Sequence, residues 1–369
     1  MTDSVAITTK AKENIVFTMA SIPIHKRVAL SYSKEDFVKK CSFNSKQCTI
    51  EDDFKLHVDP VYGNCYTFNY DTAINRTSSR SGATYGLRVL LYVNVTDYMP
   101  TTEATGIRMA IHGQSEFPFP DSFGYSAPTG FQSSFGIRLK KVHRLPSPYG
   151  DCVMDADLEG YIYQEYQYNT EGCHRSCFQK TLIAECGCGD PRFPVLPPDS
   201  HCTAANKEAR DCLNRTTEST DVTSQNKDCD CPLPCHQQVF DVTFSASKWP
   251  SLASNVDLGD CNGTQKFCQQ YYMDNAVFLE VFFEQLNYEL LKESEAYGTV
   301  NLLADFGGQL GLWMGVSVIS CVEFAVFIFN ITTVYCRERQ EKKLKELQAK
   351  KNMSKMIKSL GLVQFGNIE

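Results

Sequence analysis

The sequence has little that would suit a nucleic-acid-binding protein or an enzyme. Its formal net charge is −7, whereas a surface that binds a polyanion needs clustered Lys and Arg. Its seven histidines show no H-E-x-x-H or similar spacing, and no G-x-S-x-G motif marks a nucleophile. The sequence therefore predicts no nucleic-acid partner, no catalytic residue, and no metal or cofactor.

Long hydrophobic runs are also missing from most of the chain. The first 32 residues contain none that could form the core of a signal peptide or cross a bilayer. Yet 15 of the 17 cysteines precede residue 269. This many free thiols would be hard to keep unreactive. This region is predicted to be oxidised and extracellular. We therefore expect the sequence to be a fragment, a truncated isoform or an incomplete gene model.

Sequons for N-glycosylation support a lumenal or extracellular location for the same region. A sequon needs only exposure to the lumen to accept a glycan. Four sequons in the cysteine-rich region are better evidence for this location than a single one. The predicted glycosylation sites are Asn75, Asn94, Asn214 and Asn262.

One segment near the C-terminal end is long and apolar enough to cross a membrane. Residues 310–334 contain a single ionisable residue, Glu323, and 25 residues in a helix exceed the hydrocarbon core of a bilayer. Nine Lys or Arg against three acidic residues follow between Arg337 and Lys358. By the positive-inside rule this tail is predicted to be cytoplasmic and the cysteine-rich region outside. The alternative is a buried core helix.

Alternating apolar residues predict strands in both halves of the cysteine-rich region, and hence an α+β fold with a mixed sheet. Ser33 and Asp36 have the spacing of an N-cap and its acidic partner, which predicts a short helix toward Lys40. Two segments are expected to be irregular: residues 117–131, rich in Pro and Gly, and the polar residues 199–230. The predicted strands are residues 87–95, 107–112, 135–142, 237–245 and 275–291.

Two pairs of cysteines have spacings that suit a disulfide ladder. Cys173 and Cys177 are four apart, so both sulfurs would lie on one face of a helix. Cys229 and Cys231 are two apart and would face one side of an extended segment, which makes them natural partners. The alternative is a zinc cluster. Its thiolates would come from Cys186, Cys188, Cys229 and Cys231.

Residues 301–324, NLLADFGGQLGLWMGVSVISCVEF, resemble the pre-pore and second transmembrane segment of the degenerin and epithelial sodium channel family. The motif combines Gly307-Gly308-Gln309 and Gly311 with Gly315-Val316-Ser317 and then Glu323. Upstream, YGNCYTFNY (62–70), DYMPTTEATG (97–106), FPFPDSFGYSAPTG (117–130) and SPYGDC (147–152) are similar to nematode degenerins in particular. The resemblance covers nearly the whole chain and weakens only in the tail.

The resemblance implies a chalice-shaped trimer with palm, knuckle, finger and thumb regions, which conducts sodium, is blocked by amiloride and opens under mechanical force. Its partners would be other degenerin-type subunits, sodium ions and the lipid bilayer of the plasma membrane. The expected domains are an extracellular domain at residues 1–299 with a thumb at 151–235, a pre-pore and pore helix at 300–335, and a cytoplasmic tail at 336–369. The first transmembrane helix of the family is absent from this sequence, so we expect the chain alone not to conduct.

Disulfide pairings also follow from the resemblance. They are Cys41–Cys48, Cys152–Cys235, Cys173–Cys231, Cys177–Cys229, Cys186–Cys212, Cys188–Cys202 and Cys261–Cys268. Cys65 is left without a partner in this sequence.

The family's pore residues map onto the apolar segment. Gly315, Val316 and Ser317 match the selectivity filter, Gly311 the position of amiloride sensitivity, and Ala304 the position where larger side chains hold the channel open. Small residues in a membrane helix are otherwise explained by close helix packing, whereas Glu323 is costly in lipid and indicates a watery pore. The alternative functions are a single-pass receptor or adhesion protein and a non-conducting modulatory fragment.

Overall fold

The computed structural model describes residues 3–74, 76–154, 160–218, 229–251, 253–254, 261–315 and 317–361. The chain divides into two compact units, a disulfide-rich unit of residues 1–294 and a helical unit of residues 295–369. The disulfide-rich unit mixes strands with helices, whereas the described part of the helical unit is built from helices alone.

The described helices are α1 (Ser4–Ala20), α2 (Ile24–Leu30), α3 (Lys34–Phe37), α4 (Ile50–Asp53), α5 (Pro120–Phe123), α6 (Thr170–Cys186), α7 (Lys207–Glu218), α8 (Gln265–Asn275), α9 (Thr299–Met314) and α10 (Val318–Gly361). The described strands are β1 (Val38–Phe43), β2 (Lys46–Gln47), β3 (Phe54–Asp59), β4 (Gly63–Phe68), β5 (Leu87–Tyr92), β6 (Gly106–Ala110), β7 (Gly124–Pro128), β8 (Phe131–His143), β9 (His236–Lys248) and β10 (Ala276–Lys292).

A six-stranded mixed sheet is the centre of the disulfide-rich unit. Its strand order is β2-β1-β5-β10-β8-β9. β8 and β10 run parallel, and the other neighbours are antiparallel. The two longest strands of the C-terminal half, β9 and β10, thus join strands from the N-terminal half. The α+β fold and the mixed sheet expected from the sequence are confirmed.

The largest buried cluster lies on one face of this sheet, and a smaller one around Leu90 and Ala276 lies on the other. Val277 and Phe135, from the parallel pair, are 0% and 1% exposed and pack with Val89 of β5. Phe54 of β3 and Ala127 of β7 cover the same cluster. Burying such side chains contributes about 1.5–3 kcal/mol each, so the three central strands are held together by one apolar layer.

The five predicted strand segments all contain strands, but one of them does not join the main sheet. β6 pairs only with β7, in a separate two-stranded sheet. The prediction that residues 117–131 are irregular was wrong, because α5 and β7 lie within them. Pro120 takes the first helical turn, where its missing N–H costs nothing, and Pro128 ends an edge strand.

Two other local predictions can be compared with the structure. Ser33 caps α3 and accepts a hydrogen bond from the Asp36 N–H, as predicted, although the helix ends at Phe37 because β1 begins there. The polar residues 199–230 are not wholly irregular, since α7 occupies 207–218. Leu213 on α7 is 2% exposed and packs on Leu182 of α6, and the Cys186–Cys212 disulfide joins the same two helices.

Candidate functional site

The apolar C-terminal segment is two helices with a break between them. α9 ends at Met314, and its C-cap Gly315 has φ +63° and ψ +18°, in the left-handed region. The Gly315 N–H donates back to the carbonyl of Gly311 at 3.1 Å. Glycine adopts this conformation without the cost that a Cβ would add, so it can end a helix here. The apolar segment of residues 310–334 thus contains the end of α9 and the start of α10, and the one membrane-capable helix of the described chain begins at Val318.

Ser317 starts the second helix. Its Oγ accepts a hydrogen bond from the Ser320 N–H at 3.2 Å, and its carbonyl accepts from the Cys321 N–H at 3.1 Å. A serine that bonds the N–H three residues on is a typical N-cap. Val316, the middle residue of the expected filter, lies outside the described residues. Gly315 and Ser317 thus form the two caps that flank the break.

Small residues lie along one face of α9. Ala304, Gly307, Gly308 and Gly311 are spaced three, four and seven residues apart from the first, which places them on one face of a helix. All four are exposed. A Cβ added at Gly307 or Gly308 would meet no atom within 4 Å, so this face is open for close approach by another helix. Gln309, the last residue of the pre-pore motif, is exposed and lies off this face.

Bulky apolar residues cover the rest of both helices and are not buried by the described chain. Trp313 is 82% exposed, Phe306 62% and Phe324 65%. α10 contains the one described stretch that is long and apolar enough to cross a membrane. Exposed apolar surface of this extent calls for lipid or other subunits as its surroundings.

A polar stripe follows one face of α10. Three polar residues, Ser320, Glu323 and Asn330, share this face because they are three and seven residues apart, and the apolar Phe327 lies between the last two. Glu323 is exposed. A carboxylate six residues into an otherwise apolar helix must face water or a partner rather than lipid.

Seven disulfides brace the disulfide-rich unit, and their pairs are those that the resemblance implies. Cys173 and Cys177 of α6 are joined to Cys231 and Cys229, two parallel rungs of a ladder. The pairs are Cys41–Cys48, Cys152–Cys235, Cys173–Cys231, Cys177–Cys229, Cys186–Cys212, Cys188–Cys202 and Cys261–Cys268. The four cysteines of the alternative zinc cluster are all in these bonds.

Three cysteines are free: Cys65, Cys321 and Cys336. Cys65 lies on β4, opposite His57 of β3. Burial raises the pKa of the Cys65 thiol to about 12, with the negative charge of Asp59 acting in the same direction. Burial also lowers the pKa of His57. Both effects disfavour the charged forms of these two side chains.

Arg175 joins the laddered helix α6 to the rest of the unit. Its guanidinium bonds Asp121 of α5 at 2.7 Å and Glu171 at 2.8 Å, and lies 4.6 Å from the centre of the Phe119 ring. Burial lowers the pKa of Arg175, but the bonds to the two carboxylates outweigh it and raise that pKa above its ordinary value. The side chain stays charged and holds α6 against α5.

The predicted glycosylation sites differ in their surroundings. Asn214 and Asn262 are exposed. Asn94 is half-buried, and its side chain donates to the Asp97 carboxylate at 2.8 Å and accepts from Thr96. Asn75 lies outside the described residues. Glycosylation at all four sites stays a prediction.

The break between α9 and α10 is the functional feature that sequence reasoning missed. A signal for it was present, because glycine is the preferred residue just after a helix and serine a preferred residue just before one. Gly315 and Ser317 stand two apart in that order. The hydropathy of the surrounding segment shows only that the segment is long enough to cross a membrane, and it gives no information about where a helix ends.

Residues 3–327 match the family model described as amiloride-sensitive sodium channel. Degenerin mec-4 of Caenorhabditis briggsae is 54% identical over 351 residues, which cover 95% of this chain and 45% of that protein. Degenerin deg-1 of Caenorhabditis elegans is 55% identical over 93% of this chain and 45% of its own length. Degenerin mec-10 of Caenorhabditis elegans is 51% identical over 90% of this chain and 46% of its own length.

These matches, together with the disulfide-rich fold and the membrane-capable helix, place the chain in a class of proteins whose family model is that of an ion channel. Within that class the chain belongs to the degenerin and epithelial sodium channel family, among the nematode degenerins. The chain spans about half the length of the curated relatives it matches.

Proposed function

We propose that this chain is part of a subunit of a sodium-permeable, amiloride-sensitive channel that assembles as a trimer. The observation that carries the proposal is the break between α9 and α10. It is formed by Gly315 and Ser317, two of the three residues that match the family's filter. Single-span receptors have no need of an interrupted helix.

A helix break provides what a partly dehydrated sodium ion needs. The last turn of a helix leaves carbonyl oxygens without partners in the helix, and the C-terminal end of its dipole is negative. Here the Gly315 N–H satisfies the Gly311 carbonyl, while the carbonyls that follow it lie at the break. Three copies around an axis would form a ring of backbone oxygens, the kind of site that selects cations in channels.

The small face of α9 and the polar stripe of α10 support the same assembly. Ala304, Gly307, Gly308 and Gly311 would let three copies of α9 approach closely, and Gly311 would contribute to the amiloride site. Glu323 from three subunits would raise the local concentration of cations. In this proposal the exposed apolar residues face lipid and neighbouring subunits.

Orientation and location are part of the proposal. Disulfides persist in oxidising compartments, so the disulfide-rich unit is placed outside the plasma membrane. The nine basic residues that follow the apolar part of α10 are placed in the cytoplasm. We extend the proposal to mechanical gating, with degenerin-type subunits as partners, because the similar proteins are degenerins.

The test is sodium current with and without amiloride in cells that express the chain alone and together with a complete degenerin subunit. Ser317→Ala and its matched control Ser354→Ala are tested in the co-expressed channels. If the break forms the filter, Ser317→Ala reduces the preference for sodium over potassium, whereas Ser354→Ala, an exposed serine near the lysine-rich end of α10, changes it little. Unchanged currents in every combination, with the chain shown to be at the surface, would favour a receptor or adhesion protein.

A further inference from the structure

Two histidines face each other at one end of the main sheet. His143 is the last residue of β8 and His236 the first of β9, and the two are directly opposite in the antiparallel register. Their ring centroids are 4.8 Å apart, and the ring planes are at 83°. No other function has been given to either residue. Nothing in their sequence spacing brings them together, since 93 positions separate them.

The backbone fixes this close approach. The Arg144 N–H donates to the Cys235 carbonyl at 2.8 Å. In an antiparallel ladder the pair next to a hydrogen-bonded pair is a non-hydrogen-bonded one, where side chains come closest. His143 and His236 occupy that position. The Cys152–Cys235 disulfide and the bond from Arg144 to the Pro234 carbonyl, 2.9 Å long, hold the two strand ends in place.

The ring separation fits two imidazoles on one metal ion. With a metal–nitrogen bond of about 2.1 Å and a ring nitrogen about 1.2 Å from its centroid, two rings on a tetrahedral ion have centroids about 5.4 Å apart. The observed 4.8 Å is within about 0.6 Å of this value. His236 is exposed and His143 half-buried, so an ion and its water ligands can reach the pair.

Charged residues flank the histidine pair. Lys141 lies two residues before His143, and its ammonium is directed to the Tyr288 ring, 4.6 Å from the ring centre. Lys292 is in register with His143 on β10 and is exposed. The Glu293 carboxylate accepts the Leu145 N–H at 2.9 Å. Lys292 therefore weakens cation binding, and its removal should strengthen it.

We propose that His143 and His236 bind a divalent transition-metal ion of the class that prefers imidazole, such as zinc, with water completing its coordination. The imidazole pair suits Zn²⁺, Cu²⁺ and Ni²⁺ better than Ca²⁺ or Mg²⁺. The ion would clamp β8 to β9 at the end of the sheet. The proposal goes beyond sodium conduction, and binding is measured without any current.

The first experiment measures Zn²⁺ binding to the full chain in detergent, without a histidine tag, by titration calorimetry and by the shift of the thermal unfolding midpoint. The native chain should bind one Zn²⁺ at this site and gain stability as Zn²⁺ rises, because a ligand of the folded state stabilises it. His143→Gln and His236→Gln should each weaken binding at least tenfold. The matched control His174→Gln, at an exposed histidine of α6, should change it less than twofold, and Lys292→Gln should tighten it.

A second readout separates a metal site from two stacked rings. Cu²⁺ bound to the native chain should show nitrogen couplings from two imidazoles in pulsed electron paramagnetic resonance, and from one imidazole in either single variant. The proposal is overturned if the double variant His143→Gln/His236→Gln is stabilised by Zn²⁺ as much as the native chain. A Cu²⁺ signal from a single imidazole in the native chain would also overturn it, and the pair would then be an edge-to-face packing contact.

Discussion

Gly315 shows how one residue decides the form of the membrane segment. Its φ of +63° lies in the left-handed region, which costs other residues about 1 kcal/mol or more. A larger residue here would favour continuing the helix through the break. The conformation of this single residue therefore decides whether the segment is one continuous helix or two helices with a capped break between them.

Gly315→Ala should therefore lower the stability of the helical unit by about 1 kcal/mol. The matched control is Gly308→Ala, at a helical position where a Cβ meets no atom within 4 Å. It should leave stability unchanged or raise it by up to about 1 kcal/mol, because alanine is the better helix former. Thermal unfolding of the full chain in detergent, followed by far-UV circular dichroism, compares the two. Equal effects would contradict a special conformation at Gly315.

The thiol of Cys65 should be unreactive in the folded chain. Its pKa is raised by burial from 9.0 to about 12, and only the thiolate reacts with alkylating reagents. Iodoacetamide at pH 8 should label the exposed Cys336 first, and Cys65 only after unfolding. Mass spectrometry of the digested chain measures this order. Rapid labelling of Cys65 in the native chain would show that the hairpin is open.

The same thiol should make stability depend on alkaline pH. Below pH 9 it is protonated in both the folded and the unfolded chain, so it contributes no slope. Between pH 9 and about 12 it ionises only in the unfolded chain, so the free energy of unfolding falls as pH rises. Denaturant unfolding at several pH values should show that this part of the slope disappears in Cys65→Ser.

At the scale of elements, the two rungs on α6 should stabilise the unit non-additively. While one disulfide of the ladder remains, the other closes a ring of only the few residues between the two. Losing either one alone therefore lowers the free energy of unfolding by about 2 kcal/mol. Losing both disulfides opens a large loop, because their cysteines are 58 and 52 residues apart in the sequence. This double loss lowers the free energy of unfolding by about 6 kcal/mol. The variants Cys173→Ala/Cys231→Ala, Cys177→Ala/Cys229→Ala and their combination test this by denaturant unfolding.

The control for the ladder is the local pair Cys261–Cys268, whose cysteines are seven residues apart. Its removal should cost about 2 kcal/mol and add to either rung variant without coupling, because the ring that it closes is independent. Simple additivity between the two rungs would mean that the segment carrying Cys229 and Cys231 is held in place by other contacts.

Helices and strands were predictable from the sequence where the burial of one apolar face determines the local structure. Alternating apolar residues located β8, β9 and β10 because one face of each is buried in the same sheet. The alternation could not show that β6 pairs with β7 alone, since strand partners are chosen by the tertiary fold. Likewise, His143 and His236 are neighbours only through the register of β8 and β9. The break at Gly315 was missed because hydropathy measures length and not backbone conformation.

At the scale of the whole molecule, the two units differ in what holds them. The disulfide-rich unit has its own buried core and seven disulfides, whereas neither α9 nor the span of α10 has a buried residue in the described chain. The described helical unit thus offers its surfaces to lipid and to other subunits. A substitution on α9 should therefore act on assembly and gating rather than on the fold of the chain.

Ala304→Val should hold the channel open when this chain is co-expressed with a complete degenerin subunit. The reason is steric, since Ala304 lies on the small face of α9 where neighbouring helices would approach. Resting sodium current should rise severalfold, and amiloride should block the increase. The matched control Ala325→Val, an equal enlargement on α10, should leave resting current unchanged. A rise in both variants would point to general loosening of the pore.

The length of α10 has a mechanical consequence. Its 44 residues form one unbroken helix, about 66 Å long, of which about 30 Å suffices to cross a bilayer. Roughly half of it is therefore a stiff rod that projects beyond the membrane and has no joint before Ser317. Torque applied to its lysine-rich end is therefore delivered at the break beside Gly315. In the proposed orientation, a cytoplasmic partner that turns this end would act directly on the residues that are proposed to select the ion.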